Sequence, residues 1–157
     1  MKDCNPVSTP STGAELSLDQ PTDTLLDEDG VKLYQAMVGS LLYLSRTTRW
    51  EISYAVLQLT RATRKPSTAH LKKAKQVLRY LKGHYELDIV YRAAYFKLQA
   101  FADASFANDP DKRRSTSGYI FLSSGAPISW VSSLQSLTAL RTVESELVAI
   151  TLCMKEA

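Results

Sequence analysis

The sequence predicts an α+β protein in which three helices precede a small β-unit that ends in a fourth helix. Apolar residues recur at helical spacing from residue 31 to residue 83, and they alternate with polar residues in three short runs after residue 97. A Ser-Gly pair, which is typical of a two-residue hairpin turn, separates the second run from the third. Since helices repeat about every 3.6 residues and strands about every 2, these patterns predict three helices followed by a β-β-β-α unit.

The composition suits a globular protein and gives no sign of a membrane span or a disulfide framework. The chain has 157 residues, of which 45% are hydrophobic, enough for one domain or for one domain and part of a second. Its two cysteines, Cys4 and Cys153, lie far apart, and the first residues lack the apolar run of a signal peptide. No stretch approaches the roughly 20 apolar residues of a membrane helix, so we expect an intracellular protein without a membrane partner.

Residues 1–30 have the composition of a disordered tail or linker. They contain Pro6, Pro10 and Pro21, seven acidic residues and few large apolar ones. Such a segment buries too little apolar surface to offset the entropy that ordering costs.

Three amphipathic helices are predicted next, over residues 31–46, 50–63 and 67–83. Pro66 ends the second helix, Ser67 caps the third, and Gly83 ends the third. The apolar stripes that we expect to face a core are Leu33, Met37, Leu41 and Leu44 with Tyr34, Val38 and Leu42 beside them in the first helix, Ile52, Ala55, Val56 and Leu59 in the second, and Leu71, Ala74, Leu78 and Leu81 in the third.

The third helix and the residues before it are strongly basic. Between residues 52 and 85 there are eight Lys or Arg and no acidic residue. Such a face can lie along a nucleic-acid backbone, where each neutralised phosphate releases counterions and makes binding depend on salt. The alternative is a solvated helix surface whose long side chains cover the core with their apolar stems. The candidate nucleic-acid-binding residues are Arg61, Arg64, Lys65, Lys72, Lys73, Lys75, Arg79 and Lys82.

The strands of the β-unit are predicted over residues 98–103, 116–123 and 126–132. Ser124 and Gly125 form the turn between the last two strands, where Gly supplies the positive φ that such turns need. A short strand is also predicted over residues 88–91, and a weaker strand signal covers residues 137–140. Thr142 is then positioned to cap the last helix.

Carboxylates lie at the end of the first strand and in the first turn of the last helix. Asp103 ends the strand before a turn at residues 108–110, and Glu144 and Glu146 open the helix. Acids are favoured beside the unpaired amide groups of a helix start, so an ordinary structural role is one interpretation. The other interpretation is a metal site where the helix packs back over the strand.

Five motifs in a consistent order resemble one family. The sequence is similar to the end of the reverse transcriptase and the start of the ribonuclease H domain in copia-type retrotransposon Pol polyproteins. The match covers nearly the whole chain, including DCNPVSTP from residue 3. The motifs are YQAMVGSLLYLSRTTRWEISYAV from residue 34, HLKKAKQVLRYLKG from residue 70, FADASFAND from residue 101, DKRRSTSGYIFLSSGAPISW from residue 111 and ALRTVESELVAI from residue 139.

The resemblance implies three regions along the chain. Residues 1–30 would be a disordered tail or linker, residues 31–92 the helical tail of the reverse transcriptase with its connection, and residues 93–157 the N-terminal part of a ribonuclease H-like domain. The implied fold is therefore a three-helix connection segment followed by a truncated ribonuclease H-like β-β-β-α unit. Further strands lie beside the first strand in the complete fold, so that without them this strand is an exposed edge.

The nuclease of this family uses two divalent metal ions, Mg²⁺ in particular, held by four acidic positions. The resemblance assigns Asp103, in FADAS, to the first position and Glu146, in VESELVAI, to the second, with Glu144 as the alternative to Glu146. The family's remaining acids would follow Ala157. Because two dications need several carboxylates to offset their repulsion, we expect weak metal binding at most and no catalysis by this chain alone.

The leading hypothesis is a fragment of a copia-type polyprotein that is not an enzyme in isolation. Its expected partners are an RNA–DNA hybrid or duplex, or the rest of the polyprotein. Similar chains also occur among secreted RxLR-type effectors of plant-pathogenic oomycetes, which enter host cells, bind host proteins and suppress defence or cell death. That alternative lacks its hallmarks here, since the sequence contains no cleavable leader and no Arg-x-Leu-Arg string. A third hypothesis is a non-catalytic nucleic-acid-binding module.

Overall fold

A computed structural model describes residues 4–13, 15–92 and 97–157. The chain divides into two compact units, Met1–Leu87 and Asp88–Ala157, which we call the helical unit and the sheet unit. The predicted α+β class is confirmed, because three α-helices precede a three-stranded sheet and a fourth α-helix. The predicted third region begins at residues 93–96, which lie outside the described residues. In the described ranges, no helix has the length and apolarity needed to cross a membrane.

The helical unit contains α1 (Glu28–Thr47), α2 (Ser53–Arg61) and α3 (Thr68–Gly83). Helix α1 begins where the side chain of Asp27 accepts a hydrogen bond from the N–H of Gly30 at 2.9 Å. A 3₁₀ turn over Trp50–Ile52 leads into α2, so this α-helix is shorter than the helix predicted over residues 50–63.

One apolar core joins the three helices. The inner face of α1 is formed by Tyr34, Val38 and Leu41, whereas Leu33, predicted to face the core, is 53% exposed. Tyr34 fits inside because its hydroxyl donates a 2.8 Å hydrogen bond to the carbonyl of Leu59. The buried hydrophobic residues of this core are Tyr34, Val38, Leu41, Ile52, Ala55, Val56, Leu59, Ala62, Ala74, Val77 and Tyr80.

The described residues before α1 contact the helices, where the sequence predicts a disordered tail. Val7 and Leu26 pack against the core, and the N–H of Leu26 donates to the carbonyl of Pro66 at 3.0 Å. The Tyr54 hydroxyl donates to a carboxylate oxygen of Glu15 at 2.8 Å. Composition predicts disorder because few of these residues are apolar, yet most of their contacts use backbone or polar groups that composition does not reveal.

The sheet unit is an antiparallel sheet in the order β1-β2-β3, followed by a helix. Ser124 and Gly125 have φ angles of 52° and 80°, so the predicted two-residue hairpin between the second and third strands is confirmed. The first strand is an edge strand, as expected. The elements are β1 (Gln99–Ser105), β2 (Thr116–Ser123), β3 (Ala126–Leu134) and α4 (Thr142–Glu156).

Three local predictions for the sheet unit are wrong. Residues 88–91 and 137–140 form no strand, because a short apolar run becomes a strand only where a neighbour accepts its hydrogen bonds. Arg141, and not Thr142, is the N-cap of α4, and no side chain caps this helix. Instead, a carboxylate oxygen of Glu144 accepts a 2.8 Å hydrogen bond from the N–H of Leu140.

Helix α4 covers one face of β1 and β2. Cys153 of α4 is buried against Tyr119 and Phe121 of β2, and Ala102 and Val131 pack around them. Because side chains alternate along a strand, Phe101 lies on the other face of β1, where it is 55% exposed. The sheet unit therefore has one covered and one uncovered face.

Candidate nucleic-acid interface

Helix α3 carries the basic face and begins at a well-defined cap. The Ser67 hydroxyl accepts a hydrogen bond from the N–H of His70, and the N–H of Ser67 donates to Nδ1 of His70 at 3.2 Å. Both residues are buried. This reciprocal arrangement confirms the predicted cap at Ser67 and sets which side chains of α3 face the core.

The apolar side of α3 directs its basic residues away from the core. Ala74, Val77 and Tyr80 are buried. Lys72 and Lys75 are exposed on the opposite side of the helix. Lys73, Arg79 and Lys82 are half-buried, as expected where long side chains lie along the surface of a helix.

The other basic candidates lie at the turn between α2 and α3. Arg61, in the last turn of α2, is half-buried, and its Nη1 donates to Oε1 of Gln58 at 2.9 Å. Arg64 and Lys65 follow it and are exposed. Together with Leu18 and Ala62, these three cations line an open hollow. All eight predicted basic residues thus belong to the helical unit.

A segment before the helices runs along α3 and contacts its basic residues. We call residues 4–12 the N-terminal strap. Nε of Arg79 donates to the carbonyl of Asn5 at 2.6 Å, and Nζ of Lys82 donates to the carbonyl of Cys4 at 3.0 Å. Two of the eight candidate cations therefore hold backbone carbonyls of the same chain.

Asp103 lies on the uncovered face of the sheet. It is exposed, and its backbone pairs with that of Gly118 on β2. Its neighbour Ala102 packs on the side that α4 covers. Because successive side chains of a strand point to opposite faces, the carboxylate of Asp103 points away from α4.

Glu146 and Glu144 lie on α4 at different positions relative to the sheet. Ser145, Ala149 and Cys153 are the buried residues of this helix. Glu146 follows Ser145 and is half-buried, whereas Glu144 is exposed and accepts from the N–H of Leu140. The hydrogen bond gives Glu144 a structural role at the helix start, the ordinary role that its position predicted.

The acidic residues do not form the ligand set of a metal pair. Among the residues that the structure describes, no three or more His, Cys, Asp or Glu side chains are grouped so that they could hold a metal ion. Asp103 and Glu146 come from elements that contact each other, but strand alternation directs Asp103 away from the helix. The residues present therefore do not fit the Mg²⁺ pair that the resemblance implies.

The acceptors that Arg79 and Lys82 use were not predicted from the sequence. Both acceptors are backbone carbonyls, those of Asn5 and Cys4, and a backbone carbonyl cannot be predicted as an acceptor from a side-chain motif. Val7, an apolar residue inside a polar stretch, was the one available signal, since it packs against the core.

Comparison with known proteins gives a consistent group of relatives. The chain is 38% identical over 159 residues to the retrovirus-related Pol polyprotein from transposon TNT 1-94 of Nicotiana tabacum, covering 99% of this chain and 12% of that protein. It is 37% identical over 147 residues to the retrovirus-related Pol polyprotein from transposon RE1 of Arabidopsis thaliana, covering 90% of this chain and 9% of that protein. The chain thus spans a small part of these polyproteins.

One shorter relative is matched over nearly its full length. The secreted RxLR effector protein 161 of Plasmopara viticola is 37% identical over 125 residues, which are 79% of this chain and 88% of that protein. No family model matches the chain, and no solved structure matches it.

These relatives define the class of the chain as a retrovirus-related Pol polyprotein of transposons. Within that class, the chain belongs to the copia-like retrotransposon family, as its five ordered motifs predicted. It corresponds to a part of such a polyprotein.

Proposed function

We propose that this part of the polyprotein binds the backbone of an RNA–DNA hybrid or duplex through α3 and the turn before it. The observation that carries the proposal is the position of Lys72 and Lys75, exposed on one side of a capped helix whose other side is buried. The segment from residue 52 to residue 85 contains eight Lys or Arg and no acidic residue. Phosphate binding by such a surface is independent of base sequence and weakens steeply with salt.

In this proposal the sheet unit is the N-terminal part of a ribonuclease H-like domain, and the chain does not cleave a hybrid unaided. The order β-β-β-α and the motif around Asp103 support the assignment. The orientation of Asp103 away from α4 supports the absence of cleavage, because a metal-dependent nuclease needs its carboxylates to converge. The rest of the polyprotein would supply the remaining acids.

The test is a salt titration of hybrid binding with matched charge reversals. The pair Lys72→Glu and Lys75→Glu alters exposed residues of α3, and the control pair Lys97→Glu and Lys112→Glu alters exposed residues of the sheet unit by the same net charge. We expect the α3 pair to lower affinity at least about tenfold in 0.1 M salt and to reduce the salt slope by about 0.9 for each lost phosphate contact. Equal effects of the two pairs would contradict a specific α3 interface.

A second candidate function rests on the Plasmopara viticola relative, whose name is that of a secreted effector. The chain covers 88% of that protein, far more than it covers of the polyproteins. This candidate is a protein that enters host cells and suppresses defence. It predicts that expression in leaf tissue reduces elicitor-triggered cell death relative to an empty vector, and unchanged cell death would exclude it.

A further inference from the structure

The N-terminal strap covers part of the surface that the proposed function uses. It runs antiparallel to α3, since Cys4 and Asn5 contact Lys82 and Arg79 near the end of the helix. Further along the strap, Nε2 of Gln76 donates a hydrogen bond to the carbonyl of Thr9 at 3.3 Å, and the hydroxyl of Thr12 donates to Oε1 of Gln76 at 3.1 Å. The strap therefore follows α3 from Gln76 to Lys82, which is nearly two turns of the helix.

Apolar contacts hold the strap in place between these polar ones. Val7 packs against the core of the helical unit. Pro6 lies directly over Gly83, where a Cβ added to the glycine would come within 3.0 Å of the Pro6 Cβ. The absence of a side chain at Gly83 thus permits the close approach of the strap to the end of α3.

The strap supplies neutral acceptors to cations that a phosphate would bind more strongly. A hydrogen bond between a cation and a phosphate oxygen is roughly twice as strong as one to an uncharged group. The strap competes despite this because it belongs to the same chain, which gives it an effective concentration in the millimolar range or above.

We infer that the N-terminal strap masks Arg79 and Lys82 and limits nucleic-acid binding by α3 to its other cations, so that strap release enlarges the phosphate-binding surface. This inference rests on the proposed function. The inference adds to the proposed function that the strap regulates the same nucleic-acid-binding surface. A bound nucleic acid then makes two fewer phosphate contacts while the strap is seated.

Gly83→Leu tests the inference without changing any basic residue, because the new side chain occupies the place of Pro6. Gly39→Leu is the matched control, since a Cβ at Gly39 of α1 meets no atom within 4 Å. The Cys4 thiol reports on strap release: it is half-buried, and its labelling rate rises when the strap leaves, whereas the buried Cys153 stays slow. A second variant deletes residues 1–12, whose charges, one Lys and one Asp, sum to zero.

Binding of a short RNA–DNA hybrid is then measured by fluorescence anisotropy across a salt series. We expect both released variants to bind about tenfold more tightly in 0.1 M salt, with a salt slope steeper by about 1.8 for two added phosphates. Adding Arg79→Ala and Lys82→Ala to either released variant should remove this gain. Released variants that bind like the unaltered chain would overturn the masking, provided that Lys72→Glu with Lys75→Glu still weakens binding. If that pair has no effect, the proposed function itself fails.

Discussion

The helical unit and the sheet unit differ in how completely they bury their apolar residues. Among the residues that the structure describes, the helical unit buries eleven hydrophobic residues in one cluster, whereas the corresponding cluster of the sheet unit has three. Helix α4 is apolar on its outer side as well, with Val143, Leu147 and Met154 each more than half exposed. Apolar residues on the outer side of a helix are typical of a helix that packs on two sides, and they support our proposal that the sheet unit is part of a larger domain.

The two units also differ in how their charged groups are arranged. The helical unit gathers eight cations near one helix, whereas the sheet unit separates its two family acids between a covered and an uncovered side. This difference supports our proposal that nucleic acid binds to the helical unit.

Truncation of a core leucine gives the largest expected difference between the units. Leu41 is 0% exposed in α1, and Leu41→Ala should lower the free energy of unfolding by about 2–5 kcal/mol, because the buried side chain leaves a cavity. The same change at Leu147, which is 59% exposed on α4, should cost less than about 0.5 kcal/mol. Urea denaturation measures both changes in unfolding free energy, and equal losses would contradict the difference in burial between the two units.

Alkaline pH should destabilise the helical unit through Tyr34. Burial raises the pKa of this phenol above its ordinary value of 10.0. Above that pH the unfolded chain loses the proton while the folded chain keeps it, so the folded state binds more protons and unfolding becomes easier as pH rises. The slope contributed is about 1.4 kcal/mol per pH unit.

Tyr34→Phe isolates this contribution from the titration of lysines in the same pH range. The variant should show a shallower loss of stability between pH 10.0 and pH 12 in urea denaturation. Parallel curves for the two proteins would show that Tyr34 is not protected from ionisation in the folded state.

Removing the cap of α3 should have a smaller effect. Ser67→Ala removes the hydroxyl that accepts from the N–H of His70, and we expect a loss of about 1 kcal/mol of unfolding free energy. Ser67→Thr, which retains a hydroxyl acceptor without burying a charge, is the control. If both variants lost the same unfolding free energy, the effect would come from the burial of Ser67 and not from capping.

Adding a cap to α4 should have the smallest effect, with the opposite sign. Arg141 is the N-cap of this helix and provides no side-chain hydrogen bond. Arg141→Ser supplies an acceptor, and we expect a gain of roughly 0.5 kcal/mol, measured by hydrogen exchange of the first turn of α4. Unchanged exchange would indicate that the Glu144 contact already satisfies this helix end.

Local signals predicted most of the secondary structure. Ser124-Gly125 predicted its hairpin because a two-residue turn depends on the φ preferences of its own residues. Ser67 predicted the start of α3 for the same reason, since a cap bonds groups within one helical turn.

Features that depend on contacts between distant residues could not be predicted from local sequence patterns. Two hydrogen bonds hold the strap near the end of α3. Arg79 and Asn5 are 74 positions apart in the sequence, and Lys82 and Cys4 are 78 positions apart, so no local pattern encodes either bond. Asp103 shows the same limit in the candidate site. Alternation predicted a carboxylate at the end of β1, but which face it occupies depends on where α4 packs.

We propose that the chain binds a hybrid through the helical unit, while the described acidic residues of the sheet unit do not converge on a metal site. The most direct measurement incubates the purified 157-residue chain with an end-labelled RNA–DNA hybrid in Mg²⁺ and follows binding and strand length together. We expect salt-dependent binding with the RNA strand intact. Cleavage of the RNA strand that is abolished by Asp103→Asn would contradict it.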